Sequence, residues 1–561
     1  MYDELVARGI KYSPEEVLVN CFKELIGNSS TVDALFTDSS FNNVVGVSGL
    51  PVKVPVALCL LQCGECAEYL WEYMKQGFSL LVCVKENAPG LRIYINESGF
   101  TELTPPEAVS RAIASLVKDV DKWAGVFNED GEHIIDLRTP SPGPHFFINL
   151  LLGNRLGCGH ALQTTPKSVV DRLGRGSFRS HAATQVLATR WDMRQEENGF
   201  PANRQFYLVE GNKKILYSAD PNDSNIQWAN CVHSQNRTVI SYTTGCGLEI
   251  KRTIFILPHA DGMPLAVEVQ HIEIMNSGPA PRHLKLVYTG MFGTPATHAL
   301  QEDVLYSNVI MQSKLLRNPD GSIAAIGTDY YPEQAREDMR FHVMVLHNGG
   351  KTVFPREFCS NYNDFVGNGT LENPQGINNL GNRMYRKGPG FFALAGELEL
   401  RPGEQSVVDN YTGLVSKKVN PEFDDSTFVK EVENLIKRFS KPGEVTKVME
   451  EANEFYDRYR SFIQVQTSDR QFNAYFNRNL PFQVLYQTFV SRSFCQTQKG
   501  YREIGFREIQ DVFASMYYFV GMGMSAFVKE LLKEWCSRIF EFGFAYHNFF
   551  WVGKEPGKWS D

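Results

Sequence analysis

Leu248-Glu-Ile-Lys-Arg-Thr-Ile-Phe-Ile256 and, past the turn signal Asp261-Gly262, Leu265-Ala-Val-Glu-Val-Gln-His-Ile-Glu-Ile274 decide the architecture of this chain. Apolar and polar side chains alternate along each run, and β-branched residues dominate, so each reads as a strand with one face turned to a core. The pattern extends outward. Val239-Ile-Ser-Tyr-Thr243 precedes it across Thr244-Gly245-Cys246-Gly247, and Leu284-Lys-Leu-Val-Tyr288 follows Asn276-Ser277-Gly278. Further on, Leu398-Glu-Leu400 turns at Arg401-Pro-Gly-Glu404 into Val407-Val408. Many short strands at regular spacing, with no helix between them, predict an antiparallel β-sandwich over residues 165–418.

The period changes after it. Phe428, Val432, Leu435, Ile436 and Phe439 form one helical stripe, with Ser426 or Thr427 as the expected cap and Pro442-Gly443 as the stop. A second helix is expected over Glu444–Tyr459, which makes 419–462 a helical linker. Residues 463–561 carry longer helical segments, at about 470–494 (interrupted by Pro481), 509–520 and 526–542. On the last of these Val528, Leu531, Leu532, Trp535 and Ile539 mark an apolar face. Residues 1–164 mix short strands such as Leu80–Val84 and Leu91–Ile95 with a helix over Pro106–Gly125, and read as an accessory α/β region. The expected fold class is therefore a multidomain α+β chain.

Composition narrows the partners. The chain has 561 residues, with 43% hydrophobic and 21% charged, enough for a large core. A net charge of −8 argues against nucleic acid and against an anionic membrane, so any phosphate site must be a local cluster of cations. No apolar run approaches the ~20 residues of a membrane span, and Met1–Glu16 lacks a signal-peptide apolar core. Eleven cysteines without a framework fit a reducing compartment, and the expected location is cytoplasmic. Cys63-Gly-Glu-Cys66 has no second pair nearby, and no metal is expected.

Chemistry concentrates near the C-terminus. Tyr486-Gln-Thr-Phe-Val-Ser-Arg-Ser-Phe494 leads into Gly500-Tyr-Arg-Glu-Ile-Gly-Phe-Arg-Glu-Ile-Gln-Asp511, followed by Ala545-Tyr-His-Asn-Phe549 and Gly557-Lys-Trp-Ser-Asp561. Arg492, Arg502 and Arg507 lie close in sequence, interleaved with Glu503, Glu508 and Asp511. Residues 500–505 read as a loop between two helices. Guanidinium groups hold oxyanions in a forked geometry, and carboxylates hold sugar hydroxyls. A solvated salt-bridge network at a helix–loop junction fits the same spacing.

This order of residues resembles the first part of the barrel of the inverting disaccharide phosphorylases, glycoside hydrolase family 94. The wording Arg478-Asn-Leu-Pro-Phe-Gln-Val-Leu-Tyr-Gln487 and Tyr501-Arg-Glu-Ile-Gly-Phe-Arg-Glu-Ile-Gln-Asp511 is closer still to the β-1,3-oligoglucan phosphorylases of family 149, with family 161 a near alternative. The resemblance covers about 165–561 and implies that 463–561 is the first, truncated part of an (α/α)6 catalytic barrel. By that likeness Arg492 binds phosphate, while Arg502 and Glu508 hold the glucose at the −1 subsite. Arg507, Asp511, Tyr546 and His547 join the substrate-binding set. Family 94 has Asp where this chain has Glu508, and its loop between the first two arginines is one residue longer.

The implied reaction is inverting phosphorolysis of β-1,3-gluco-oligosaccharides to α-glucose 1-phosphate and a shortened glucan. No cofactor is implied, only inorganic phosphate as co-substrate, and the complete protein is expected to be a homodimer. Such an enzyme needs one general acid and no carboxylate base, since phosphate is already an anionic nucleophile. The general acid is expected beyond residue 561. Trp559-Ser-Asp561 resembles the acid-bearing Trp-x-Asp, but its spacing from Arg507 aligns Asp561 with an earlier piece of the barrel. A phosphorylase for β-1,2 or β-1,4 linkages, an inverting hydrolase on the same fold, and a non-catalytic carbohydrate-binding protein stay open.

Overall fold

The structure is a computed structural model. It describes chiefly residues 203–258, 266–293, 311–330, 338–416, 424–460 and 463–482, with shorter stretches at 79–81, 91–94, 100–103, 126–138, 148–152, 166–179, 185–187, 506–508, most of 516–545, and 548–550. The chain divides into two compact units, Met1–Val126 with Thr139–Pro142, and Phe127–Arg138 with Gly143–Asp561. In the first, Ser79–Leu81, Leu91–Tyr94 and Phe100–Leu103 form a three-stranded antiparallel sheet. The helix expected over Pro106–Gly125 lies outside the described residues.

The second unit is built on two antiparallel sheets. The larger one runs, in spatial order, through Met311–Arg317, Ile323–Tyr330, Asp338–Asn348, Gln405–Ser416, Ala266–Asn276, Leu248–Ile256, Thr238–Thr244, Ile226–His233 and His133–Asp136. The smaller one orders Lys213–Tyr217, Gln205–Glu210, Arg282–Met291, Phe391–Leu400 and Glu357–Cys359. The two quoted runs pair as expected, with Ile250 opposite Ile274 and Ile254 opposite Gln270. The strand His133–Asp136 pairs with Ile226–His233, so the large sheet also takes in a segment from within 1–164.

Period-two alternation sorts the side chains into layers. Ile240, Ile250, Ile272, Ile274, Met344, Leu346, Val408 and Leu414 face Leu284, Leu286, Tyr288, Leu394 and Leu398 across the core between the sheets. Residues of opposite parity, Val267, Val269, Phe341, Val343, Val345 and Tyr411, turn outward and are covered by Phe428, Val432, Leu435 and Phe439. These are four of the five residues of the predicted stripe, on the helix Asp425–Phe439, and the fifth, Ile436, is partly buried against the same cluster. Gly413 lies where an added Cβ would collide with the Phe341 ring and the Ala266 carbonyl, so the packing requires glycine there.

Several local expectations are corrected. The cap of that helix is Asp424, whose carboxylate accepts from the Thr427 backbone N–H at 2.8 Å. Ser426 and Thr427 instead donate their hydroxyls to Asp424, at 2.6 and 3.0 Å. The segment expected over 470–494 is described only as far as Phe482. Arg470–Ala474 continues into a π turn over Tyr475–Asn479, and Leu480 N–H bonds back to Tyr475 O. The wider turn spaces the backbone ahead of Pro481, which has no N–H to donate. The helix expected over 526–542 spans Ser525–Cys536 and stops there. Gly543, at φ +85°, then closes a turn with Phe540, and Ile539 bridges Ala545. Val528 is buried, whereas Leu532 and Ile539 are 44% and 49% exposed. Among the described residues no helix is long and apolar enough to cross a membrane.

Candidate carbohydrate site

Of the residues singled out for phosphate and sugar binding, only Arg507 and Glu508 fall in a described element. Arg492, Arg502, Asp511, Tyr546, His547 and Asp561 lie outside the described residues. Phe506–Glu508 is a short strand paired antiparallel with Asn548–Phe550. Arg507 stands opposite Phe549, and Glu508 opposite Asn548. The backbone thus brings the arginine-rich segment beside the chain that directly follows Tyr546 and His547. Two segments about forty residues apart in sequence, both named as substrate-binding, meet through this pairing.

The start of the helical segment is fixed to the sandwich by a polar junction. Gln235 Nε2 donates to Asn479 Oδ1 at 2.5 Å, and Arg478 pairs with Asp130 at 2.9 Å. Arg470 pairs with Glu129, and Arg237 reaches Asn453 Oδ1 of the second linker helix at 3.3 Å. Ser234 Oγ donates to Glu132 at 2.9 Å. Glu132, Ser234, Gln235, Arg237, Asn453 and Arg478 of this junction line a cleft of about 210 Å³ that Asp457 and Phe482 help complete. Each pair is partly exposed and individually weak. Together they set where residues 478–482 leave the sandwich.

Deeper in, the sandwich holds buried charge. Arg204, at φ +61°, forks onto Glu268 at 2.6 and 2.9 Å and also donates to the Val169 and Ser177 carbonyls. Arg252 donates to the Arg204 and Leu173 carbonyls at 2.5 and 2.7 Å. Both arginines are fully buried and close off the core, so their role is to hold segments 166–179 and 203–205 against the sheet. His342 is buried as well, and burial pushes its pKa down to about 3, so it is a neutral imidazole at physiological pH.

A further surface was not legible from residue order. The large sheet carries a groove of about 310 Å³ on its outer face, lined by Trp228, Thr243, Glu249, Lys251, Glu273 and Gln405 among others. Trp228 is 48% exposed. The one sequence signal was a tryptophan in a strand at the outward-facing parity, and its neighbours across the sheet come from strands up to residue 405.

Two stacked antiparallel sheets with buried cross-ties and a helix packed on one outer face define a supersandwich. Residues 166–442 match the family model described as Glycosyl hydrolase 94, supersandwich domain. A search of curated proteins returned no match. Among solved structures the chain is similar to a protein described as a kojibiose phosphorylase from the human microbiome, at 12% identity and TM-score 0.40, over 71% of this chain and 47% of that one. A bacterial glucoamylase complexed with acarbose aligns at 8% identity and TM-score 0.40, over 76% of this chain and 56% of that one. An aldose 1-epimerase from Escherichia coli K12 aligns at 10% identity and TM-score 0.22, over 48% of this chain and 99% of that one. The chain thus spans about half the length of the first of these.

Proposed function

We propose that the protein is a phosphorylase of β-linked gluco-oligosaccharides, acting on the β-1,3 linkage with inversion and releasing α-glucose 1-phosphate. The observation that carries this reading is the order of parts. A glycosyl hydrolase 94 supersandwich over 166–442 is followed by the arginine-rich segment containing Arg492, Arg502 and Glu508. In this reading Arg492 neutralises phosphate as it attacks the anomeric carbon. Arg502 and Glu508 grip the −1 glucose, with Arg507, Asp511, Tyr546 and His547 around it. Arginines occupy the space that a water-activating carboxylate takes in a hydrolase, where a negative charge would repel phosphate. Protonation of the leaving oxygen falls to a single carboxylic acid, the one general acid such a reaction needs. The β-1,3 preference rests on the wording of 478–487 and 501–511.

The test is steady-state kinetics of glucose 1-phosphate release by the complete protein on laminari-, cello- and sophoro-oligosaccharides. Arg492→Ala removes one charge-assisted contact of ~1.5–3 kcal/mol, so apparent phosphate affinity should fall about ten- to a hundred-fold. Glucan affinity should change far less. Equal losses for both substrates would remove Arg492 from the phosphate site, and faster turnover of another linkage would remove the β-1,3 assignment.

A further inference from the structure

The register of the large sheet sets the residues of its outer groove in order. Trp228 stands directly opposite Thr243, Thr243 opposite Glu249, Glu249 opposite Met275, and Met275 opposite Gln405. The five residues form one straight row across five strands, which at a spacing of ~4.8 Å per strand is about 19 Å long. A parallel row of Asn230, Ser241, Lys251 and Glu273 flanks it. The intervening residues Ala229, Tyr242, Ile250 and Ile274 face the core, so both rows lie wholly on the outer face. The helix Asp425–Phe439 packs on the same sheet elsewhere, against Val269, Val343 and Tyr411.

We propose that this row is a second glycan-binding site, taking a linear chain of neutral pyranose rings laid across the strands with one ring stacked on Trp228. The indole offers a flat apolar face at one end. The remainder of the row offers hydroxyl, carboxylate, thioether and amide. A pyranose ring has the matching surfaces, a C–H face and a rim of hydroxyls. The polar groups are already held in place. Ser277 Oγ donates to Glu249 at 2.7 Å, while Gln405 Nε2 and Lys251 each reach Glu273 at 3.0 Å. Little ordering is left to occur on binding.

Other occupants fit less well. An anionic polymer meets two carboxylates against one lysine that is already paired. An apolar segment or a second copy packed on the row would strip water from Glu249 and Lys251 without supplying partners. A neutral hydroxyl-rich chain leaves those groups hydrogen-bonded. The row itself argues for a sugar chain; the choice of a β-1,3-glucan as probe rests on the functional reading above.

Isothermal titration of the full chain with laminarihexaose in phosphate-free buffer tests it, with cellohexaose and maltohexaose alongside. We expect saturable binding that Trp228→Ala weakens about ten-fold or more and Trp228→Tyr largely retains, in line with the worth of one aromatic contact plus its buried area. Arg502→Ala, which loosens the proposed grip on the −1 glucose, should leave the Trp228-dependent binding as in wild type, which separates this site from the catalytic one. Trp228-dependent binding of cello- or maltohexaose alone would keep the site and discard the β-1,3 reading. No binding of any of the three, or undiminished binding by folded Trp228→Ala, overturns the proposal. Sedimentation that shows wild-type association abolished by Trp228→Ala would give the face to a second copy and overturn it too.

Discussion

His342 supplies a sharp test of the sandwich core. Its ring is fully buried, stacked at 4.6 Å on Tyr288 and 4.7 Å on Phe392, with Nδ1 2.9 Å from Thr412 Oγ1. Burial lowers its pKa from 6.5 to about 3. The unfolded chain therefore takes up a proton as pH falls through 6.5 while the folded chain refuses it, and stability declines on acidification. Between pH 7 and pH 5 this one group should cost about 2 kcal/mol, at 1.36 kcal/mol per pH unit below the unfolded pKa. His342→Phe keeps the stack and removes the proton site. Calorimetric unfolding of both proteins at several pH values gives the difference in Tm. At ~2–4 °C per kcal/mol for a domain this size, wild type should lose about 4–8 °C relative to the variant between pH 7 and pH 5. His271 works in the opposite sense. Burial lowers its pKa, but the hydrogen bond and charge of Asp409 more than reverse this and leave it raised. His271 is common to both proteins and cancels in the difference. A Tm difference that stays constant from pH 7 to pH 5 would refute the argument.

Two further substitutions probe the frame. Glu268→Gln leaves the Arg204 guanidinium buried without its counter-charge and should destabilise the sandwich by ~3–5 kcal/mol, read as a large drop in calorimetric Tm. Replacing both members by apolar residues of similar volume should cost much less. Leu435→Ala empties a fully buried position between the linker helix and the large sheet and should cost ~2–5 kcal/mol, with the first new proteolytic cuts falling in 425–460.

The sandwich and its first linker helix were readable because each needs only local periodicity. Strands 238–244, 248–256 and 266–276 alternate, and Phe428, Val432, Leu435 and Phe439 recur at helical spacing. What escaped depends on competition or on distance. Asp424 does not stand out as the cap in the sequence because Ser426 and Thr427 are also good capping residues, and only backbone geometry chooses among them. The apolar period alone predicts a helix to 542, because Ile539 keeps the spacing although the helix ends at Cys536 and Ile539 turns to meet Ala545. The strand Phe506–Glu508 is short and takes its partner from Asn548–Phe550, which no local pattern reveals. The Trp228 row requires the register of five strands at once. For the phosphate and −1 subsite residues, sequence order remains the argument, since Arg492 and Arg502 lie outside the described residues.

The strand Gln405–Ser416 has a consequence for how the chain is made. It pairs on one side with Ala266–Asn276 and on the other with Asp338–Asn348. The strands before it form two separate meanders, each closed by short hairpins that can assemble as they leave the ribosome. Neither meander touches the other within the large sheet until this strand slides between them, more than a hundred residues after the first was synthesised. Until then two long edges stand open, one carrying Val267, Val269, Ile272 and Ile274 and the other Phe341, Val343, Val345 and Leu346, apolar rows that invite pairing with another nascent chain. Ribosomes that stall shortly before residue 405 would therefore release a species with a strong tendency to aggregate, whereas those that stall after residue 416 would release a closed sheet.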